Sequence, residues 1–424
     1  MSGPACHVCG AAEIKEFPEY GEFRRVTSDC KPWPAGGRLA VCEPCGCAQA
    51  ILDGKWRDEA RAIYDAYAIY HTSGGVEQSV FDQASGQATS RSARLLQRLM
   101  AGTDLPDKGR LLDIGCGNGA LLRAFSGMQS CWSLAGVEVN DRYRTAVENI
   151  PGVERLYVGA PTDVPGCFDL ITLMHALEHI PSPRDYIAGL LDKLEPGGRL
   201  LIQVPDCRIN PFMFLVADHA SHFFVTTLQA MVQDAGYSVV AAADDWVAKE
   251  ITVVAQKPGE RTGSDESVKG ARRPADEYRD RSSRREEAHS EIRNPKSEIR
   301  NRQSLVTSAA TVQGVNKRLA WLSDQADFCR TLASGGRFGL FGTSIAATWL
   351  LAELGEAVRF FVDEDPHRVG RTAFERPIYD PQHVPEGSDV YLALPPIMAA
   401  HVKARLDGTV GNVRFHLPSS LSEG

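Results

Sequence analysis

Three groups of residues in this chain have the types and spacing for chemistry. Cys6-x-x-Cys9 and Cys42-x-x-Cys45 are thiolate pairs separated by 32 residues, each followed by a glycine, Gly10 and Gly46. Two such turns complete a tetrahedral shell of four soft ligands, the donor set of a structural zinc site, and four thiolates leave no coordination position open for catalysis. In the second group, Asp113 ends the apolar run from Leu111 and opens a loop containing Gly115, Gly117, Asn118 and Gly119, while Glu138 ends the next apolar run, Ser133 to Val137. Glycines in such a loop let backbone N–H groups approach a ligand closely, and a carboxylate at the second strand end can accept hydrogen bonds from both hydroxyls of a ribose. The spacing is G-x-G-x-G, unlike the G-x-G-x-x-G of dinucleotide sites, and no G-K-[ST] follows it to hold a triphosphate. The third group is histidine-rich. His175 and His179 lie in a loop after the run Phe168 to Leu173, and Asp218-His219-Ala220-Ser221-His222 puts a carboxylate directly before a histidine. That is a place to look for a general base, although either loop histidine could instead cap a helix.

These residues need an α/β scaffold to bring them together. Leu111 to Ile114, Ser133 to Val137, Phe168 to Leu173 and the run from Glu195 to Ile202 read as buried strands, with a helix starting after Gly119 and another over Thr227 to Ala235. Ligands of doubly wound parallel sheets bind at the carboxyl ends of the strands, where Asp113, Glu138 and His175 all fall. Ahead of this core, residues 1–55 hold six of the eleven cysteines and little apolar material, so metal is expected to supply much of their folding energy, with strands over Phe23 to Val26 and Arg38 to Val41 filling the interval. His7, inside the first knuckle, is expected to be exposed, with Cys30 and Cys47 as spectators. Residues 56–256 form the core with a helical lead-in, in which Ile63, Tyr64, Tyr67 and Tyr70 share a helical spacing over Arg57 to Tyr70. Tyr67 and Tyr70 precede a polar, glycine-containing loop and are candidates for the site.

Residues 257–304 differ in kind, with thirteen Lys or Arg, ten Asp or Glu and a seven-residue near-duplication at Ser290 and Ser297. Such a segment cannot bury enough apolar surface to offset its ordering entropy and reads as a disordered linker or insertion. Residues 305–424 begin again as α/β: a strand from Arg337 into Gly342, a helix over Ile345 to Leu354, a strand from Val358 ending at Asp363, and a strand from Val390 to Leu394. At 424 residues, 43% hydrophobic and 24% charged, the chain reads as a multi-domain globular protein, and a net charge of −8 argues against nucleic acid as partner. With no membrane-length apolar run and no leader-like start, the expected location is the cytoplasm, a reducing compartment that suits free cysteines.

The Asp113 to Gly119 loop, Glu138, the strand Phe168 to Leu173 and the late turn Glu195-Pro196-Gly197-Gly198 resemble, in order, the motifs of class I S-adenosylmethionine-dependent methyltransferases. That resemblance implies a Rossmann-like core, S-adenosylmethionine as cofactor, and contacts to it from Asp113, Gly115, Gly117, Asn118, Gly119, Glu138 and His175. With the cysteine pairs before the core, Leu177-Glu178-His179-Ile180, Asp218 to Phe223, and the pattern Asp363, Pro366, Gly370 after it, nearly the whole chain is similar to bacterial sugar C-methyltransferases acting on nucleotide-linked keto-deoxysugars. The likeness implies a structural zinc on Cys6, Cys9, Cys42 and Cys45, a second Rossmann-like domain, a nucleotide sugar as small-molecule substrate, and His219 as general base with Asp218, His179 and Tyr70 around the acceptor. A ketone acidifies the neighbouring sugar C–H, the base removes that proton, and the enolate attacks the sulfonium methyl. Asp218 stands where the family has Glu, Val216 and His222 where it has Tyr, and Ile69 where it has an aromatic residue. These departures spare the cofactor loop and bear on the acceptor, leaving methylation of another acceptor at O or N, or a non-catalytic zinc-containing assembly module, as alternatives.

Overall fold

The computed structural model describes residues 4–68, 76–77, 79–81, 88–259, 311–408 and 410–421. The charged segment is outside this set apart from residues 257–259, as are Ile69 and Tyr70. The first residues build a small antiparallel sheet from β1 (Ile14–Glu16), β2 (Leu39–Cys42) and β3 (Ala48–Ala50). Helix α1 (Gly54–Asp65) follows, capped by Asp53, whose carboxylate accepts from the Trp56 N–H at 2.9 Å, and it buries Trp56, Ala60 and Ile63 on one stripe. It stops at Asp65, short of the expected Tyr70, so Tyr67 sits past its C-cap Ala66.

Helix α2 (Arg91–Gly102) leads into the core: β4 (Arg110–Ile114), α3 (Ala120–Met128), β5 (Ser133–Glu138), β6 (Val153–Val158), β7 (Phe168–Met174), β8 (Leu194–Pro205), β9 (Ser221–His222), α4 (Val225–Asp234), β10 (Ser238–Ala243) and β11 (Glu250–Gln256). Seven of these strands form one sheet in the order β6-β5-β4-β7-β8-β11-β10, parallel from β6 to β8 and antiparallel thereafter. The chain reverses direction across the sheet at β4, and this places the β4 and β7 loops side by side at one crevice. Leu111, Leu112, Leu170, Ile171, Leu200 and Leu201 are each 0% exposed, as expected of strands covered on both faces.

After the undescribed segment, α5 (Val312–Ala333) buries Val315, Leu319, Leu322, Ala326 and Cys329, a stripe at helical period. Then come β12 (Phe338–Phe341), α6 (Ile345–Leu354), β13 (Val358–Val362), β14 (Arg376–Tyr379), β15 (Asp389–Leu392) and β16 (Arg414–His416). These lie side by side as β14-β13-β12-β15-β16, all parallel, with the short strand Thr372–Ala373 antiparallel on the β14 edge, giving the second Rossmann-like unit.

The N-terminal segment does not stand on a small core of its own but shares one with its neighbours. Strand β9, from the catalytic core, completes the N-terminal sheet, with Ser221 opposite Gln49 and His222 opposite Ala48. One hydrophobic cluster joins Phe17, Tyr20, Val26 and Leu39 to Phe212 and Phe214 of the core and to Val315, Leu319 and Trp349 of the last unit. The Tyr20 hydroxyl donates to the Phe214 carbonyl at 2.6 Å, and Trp349 packs against both Phe23 and Phe212. A segment with few apolar residues thus borrows its interior from two neighbours. Among the described residues no helix is long and apolar enough to cross a membrane.

Candidate active site

The loop from β4 to α3 begins at Asp113, which is 2% exposed. Burial raises its carboxyl to about 7 against the hydrogen bond that the Thr172 hydroxyl donates at 2.7 Å, and the nearby Glu138 adds to the rise. Gly115, Gly117 and Gly119 all have positive φ, of 70°, 54° and 80°. Side chains would also lack room at two of them: a Cβ on Gly119 would lie 2.5 Å from Ile150 Cδ1, and one on Gly115 would lie 3.0 Å from the Ala176 methyl. Glu138, at the end of β5, accepts from the Gly117 N–H at 2.6 Å and the Val139 N–H at 3.1 Å, which aims its carboxylate along the glycine loop. Asn118 lines the same cavity, and its carbonyl accepts from Arg123. A nucleoside with a positive centre suits these residues: Asp113 offers a buried carboxylate and Glu138 a half-buried one, both raised by desolvation, beside a glycine-rich loop.

His175, after β7, is held at φ 50°, a left-handed conformation rare for a residue with a side chain. Its Nε2 lies 3.2 Å from Glu250 and its Nδ1 3.4 Å from Glu178. Burial works to lower the imidazole, but Glu250 outweighs it and lifts the ring to about 8. The turn Leu177–His179 then presents His179, whose Nδ1 is 3.0 Å from the Asp218 carbonyl oxygen and 3.4 Å from its carboxylate. A carbonyl only accepts, so Nδ1 carries the proton and Nε2 the lone pair. His179 meets His219 edge-on at 4.7 Å and Tyr64 at 6.0 Å.

His219 opens onto the cavity although only 3% exposed. Burial, followed by the neighbouring histidines, drives it well below the ordinary imidazole value, so the ring is neutral. Asp218 does not act on His219 directly, contrary to the reading from their adjacency. Its side chain is 0% exposed and points the other way, accepting from the Ser28 N–H at 2.9 Å and hydroxyl at 2.5 Å. Asp218 sits in the turn that the His219 N–H closes onto the Val216 carbonyl, and its side chain leaves that turn toward Ser28. His222 is buried on β9 against Phe214, away from the cavity. Tyr70 lies outside the described residues.

In the cysteine segment, the Cys6 and Cys45 sulfurs are 3.5 Å apart, as are those of Cys9 and Cys42, and one ligand atom from each of the four falls within 4.8 Å of the others. Gly10 and Gly46 take φ of 75° and 74° and close the two turns onto the Cys6 and Cys42 carbonyls. Sulfurs ~2.3 Å from a shared centre in a tetrahedron stand a little under ~4 Å apart, so the four thiols fit a metal ion. Cys47 is buried, with its thiol directed to the Ala48 carbonyl. His7 is half-buried rather than exposed, with Nδ1 3.3 Å from the Ser221 hydroxyl on β9.

Several cavity residues have no counterpart in the expected site. Ser28, Asp29 and Cys30 reach it from the N-terminal segment, Lys249 from the turn before β11, and Ser344, Ile345 and Arg368 from the last unit. Tyr64, on the last turn of α1, was passed over in favour of Tyr67 and Tyr70; its burial holds the phenol far above the ordinary value. The Asp363 carboxylate accepts from the Glu364 and Asp365 N–H groups at 2.9 and 3.0 Å and from Arg368 at 3.2 Å.

Fold and crevice together define the class: this is a Rossmann-like class I methyltransferase fold with a cysteine cluster before it and a second sheet unit after it. Residues 85–242 match the family described as "Methyltransferase domain". The ubiquinone biosynthesis O-methyltransferase of Burkholderia multivorans is 27% identical over 119 residues, covering 25% of this chain and 49% of that protein. The mitochondrial enzyme of the same name from Schizosaccharomyces pombe is 29% identical over 100 residues, covering 22% and 36%. The chain therefore spans about half or less of the length of these curated relatives. Among solved structures, SAM-bound CalS10, an amino pentose methyltransferase of Micromonospora echinaspora, is 21% identical with a TM-score of 0.30 over 39% of this chain and 89% of that one. The [4+2]-cyclase SpnF is 17% identical, with a TM-score of 0.37 over 49% and 95%.

Proposed function

We propose that this chain transfers a methyl group from S-adenosylmethionine to a small acceptor held between the core and the last unit, with a nucleotide-linked keto-deoxysugar methylated at carbon as the specific reading. The observation that carries it is a single cavity of about 750 Å³ that runs from Asp113 and Glu138, past His179 and His219, to Ser344 and Arg368. Bound there, the cofactor supplies an electrophilic methyl on a sulfonium. The chain's own residues do the remainder. The glycine loop and Glu138 grip the nucleoside, and Asp113 and His175 flank its amino-acid end. His219, kept neutral by burial, takes the proton from the carbon beside the acceptor ketone. Asp218 acts as a positioning residue through His179. Lys249, which has no ion-pair partner among the described residues, and the N-terminal turn of α6 offer positive ends toward a diphosphate. A structural zinc on Cys6, Cys9, Cys42 and Cys45 would brace the sheet that β9 completes.

The O-methyltransferase relatives support a second reading, transfer to an oxygen, with the same base and the same cofactor site. Two measurements test the proposal. Titration with S-adenosylhomocysteine should show binding that Glu138→Ala weakens, and the absence of binding at millimolar ligand overturns the cofactor reading. Labelled methyl should then pass to a nucleotide-linked ketosugar in the wild type and not in His219→Ala, with cofactor affinity retained. Label on oxygen rather than carbon would select the second reading.

A further inference from the structure

Three side chains converge on the cavity floor. Glu178 is 1% exposed, and neither oxygen of its carboxylate has a hydrogen bond; its charged neighbour is His175, at 3.4 Å without hydrogen-bond geometry. A carboxylate left dry and undonated is costly unless something else satisfies it. His219, 3% exposed, lines the same cavity beside His179. His179 has its Nδ1 proton committed to the Asp218 carbonyl at 3.0 Å, with the Asp218 carboxylate behind it at 3.4 Å, which leaves the Nε2 lone pair facing forward. An imidazole oriented through its far nitrogen, by an acceptor itself held by other groups, is the usual support of a metal-ligating histidine. Here Ser28 completes that support through its two bonds to Asp218. One donor atom from each of Glu178, His179 and His219 lies within 4.8 Å of the other two.

We propose that Glu178, His179 and His219 form a divalent-cation site, separate from the four cysteines and open to the cavity. Two imidazoles and one carboxylate favour a transition-series ion such as Zn²⁺, Mn²⁺, Fe²⁺ or Co²⁺ over Mg²⁺ or Ca²⁺. Three protein ligands leave positions free, as a working site needs and the four-cysteine shell does not provide. The inference rests on reading this crevice as the place of methyl transfer and gives the cation a task there. It would hold the acceptor oxygen and a hydroxide derived from water. The hydroxide takes the acceptor proton and becomes water, the electron pair left behind is stabilised on the cation-bound oxygen, and that pair forms the new bond to the methyl as the carbon–sulfur bond breaks. His219 is then a ligand, and the cation-bound hydroxide takes the place of the free imidazole as base.

The test uses the full chain, purified and stripped of metal, and titrated with Co²⁺ alone. Two equivalents should bind in the wild type, one producing the intense thiolate charge-transfer absorption of the cysteine site and the other only weak bands of nitrogen and oxygen ligation. Glu178→Gln and His219→Gln should each lose the second equivalent and keep the first, which also reports that the fold is intact. Binding of one equivalent by the wild type, or of two by both variants, overturns the site. S-adenosylhomocysteine titration of the same samples reads the cofactor crevice independently, so failure of the cation site and failure of the methyltransferase reading give different results.

Discussion

Asp113 makes cofactor affinity depend on pH in a way that can be worked out beforehand. The carboxyl is buried at the end of β4, and desolvation lifts it from 3.8 to about 7. At about 1.4 kcal/mol for each tenfold change, keeping it ionised inside the fold costs about 4 kcal/mol. The folded value lies above the unfolded one, so the group's contribution to stability is fully present below about pH 3.8 and is lost as pH rises through 7. A ligand carrying a sulfonium or an ammonium prefers the ionised form. Roughly one molecule in ten is ionised at pH 6 and nine in ten at pH 8, so affinity for S-adenosylhomocysteine should rise about tenfold over that interval, with close to one proton released on binding at pH 6. Asp113→Asn should flatten the profile and, without ligand, melt above the wild type at pH 8. Calorimetric titration in two buffers of different ionisation enthalpy counts the proton, and a thermal scan reads the stability. A wild-type affinity constant from pH 6 to 8, or an Asn variant keeping the tenfold slope, refutes the assignment.

Three further perturbations probe the supports of the site. Ser28→Ala removes the 2.5 Å hydroxyl bond to the buried Asp218 and should cost about 1–3 kcal/mol in denaturant unfolding. It should also lower turnover without changing cofactor affinity, and Ser28→Thr should restore the rate if the bond, not the bulk, matters. Gly119→Ala forces a side chain into φ 80° and a 2.5 Å approach to Ile150; about 1–2 kcal/mol of backbone strain alone should weaken S-adenosylhomocysteine binding roughly tenfold or more, and unchanged binding would show that the loop relaxes freely. Trp349→Ala empties a position that is 0% exposed between Phe23 and Phe212 and should cost about 3–5 kcal/mol in one cooperative transition, whereas two separated melting steps would mean that the shared cluster does not couple the units.

The cofactor crevice was legible in the sequence because its parts are local. A strand, a glycine loop and a helix start are consecutive in the chain, and Glu138 is one strand further on, so short spacing brings Asp113, Gly115, Gly117 and Glu138 to one crevice, while Gly119 caps α3. The cysteine pairs were legible for the same reason. What the sequence hid is contact across distance. Ser28 meets Asp218 from 190 positions away, and Ser344 and Arg368 reach the cavity from a unit read only as a second Rossmann-like half. Adjacency misled at Asp218, whose carboxylate turns to Ser28. Periodicity misled at α1, where Ile63, Tyr64, Tyr67 and Tyr70 at helical spacing extend the expected helix to Tyr70, yet the helix ends at Asp65 and it is Tyr64 that meets His179. Glu178 was overlooked between two histidines because a buried carboxylate without donors leaves no mark on a sequence.

The pairing of β9 with β3 has a consequence for how this protein can be divided. The two residues of β9 begin two positions after His219 and complete a sheet whose other strands belong to the first fifty positions. Excising those positions would leave Ser221 and His222 with a bare edge and unmoor the peptide that carries the histidine, even though the glycine crevice would survive. A fragment starting near residue 88 should therefore still bind nucleoside and yet be chemically idle. The boundary that looks natural on paper cuts through the sheet beside His219.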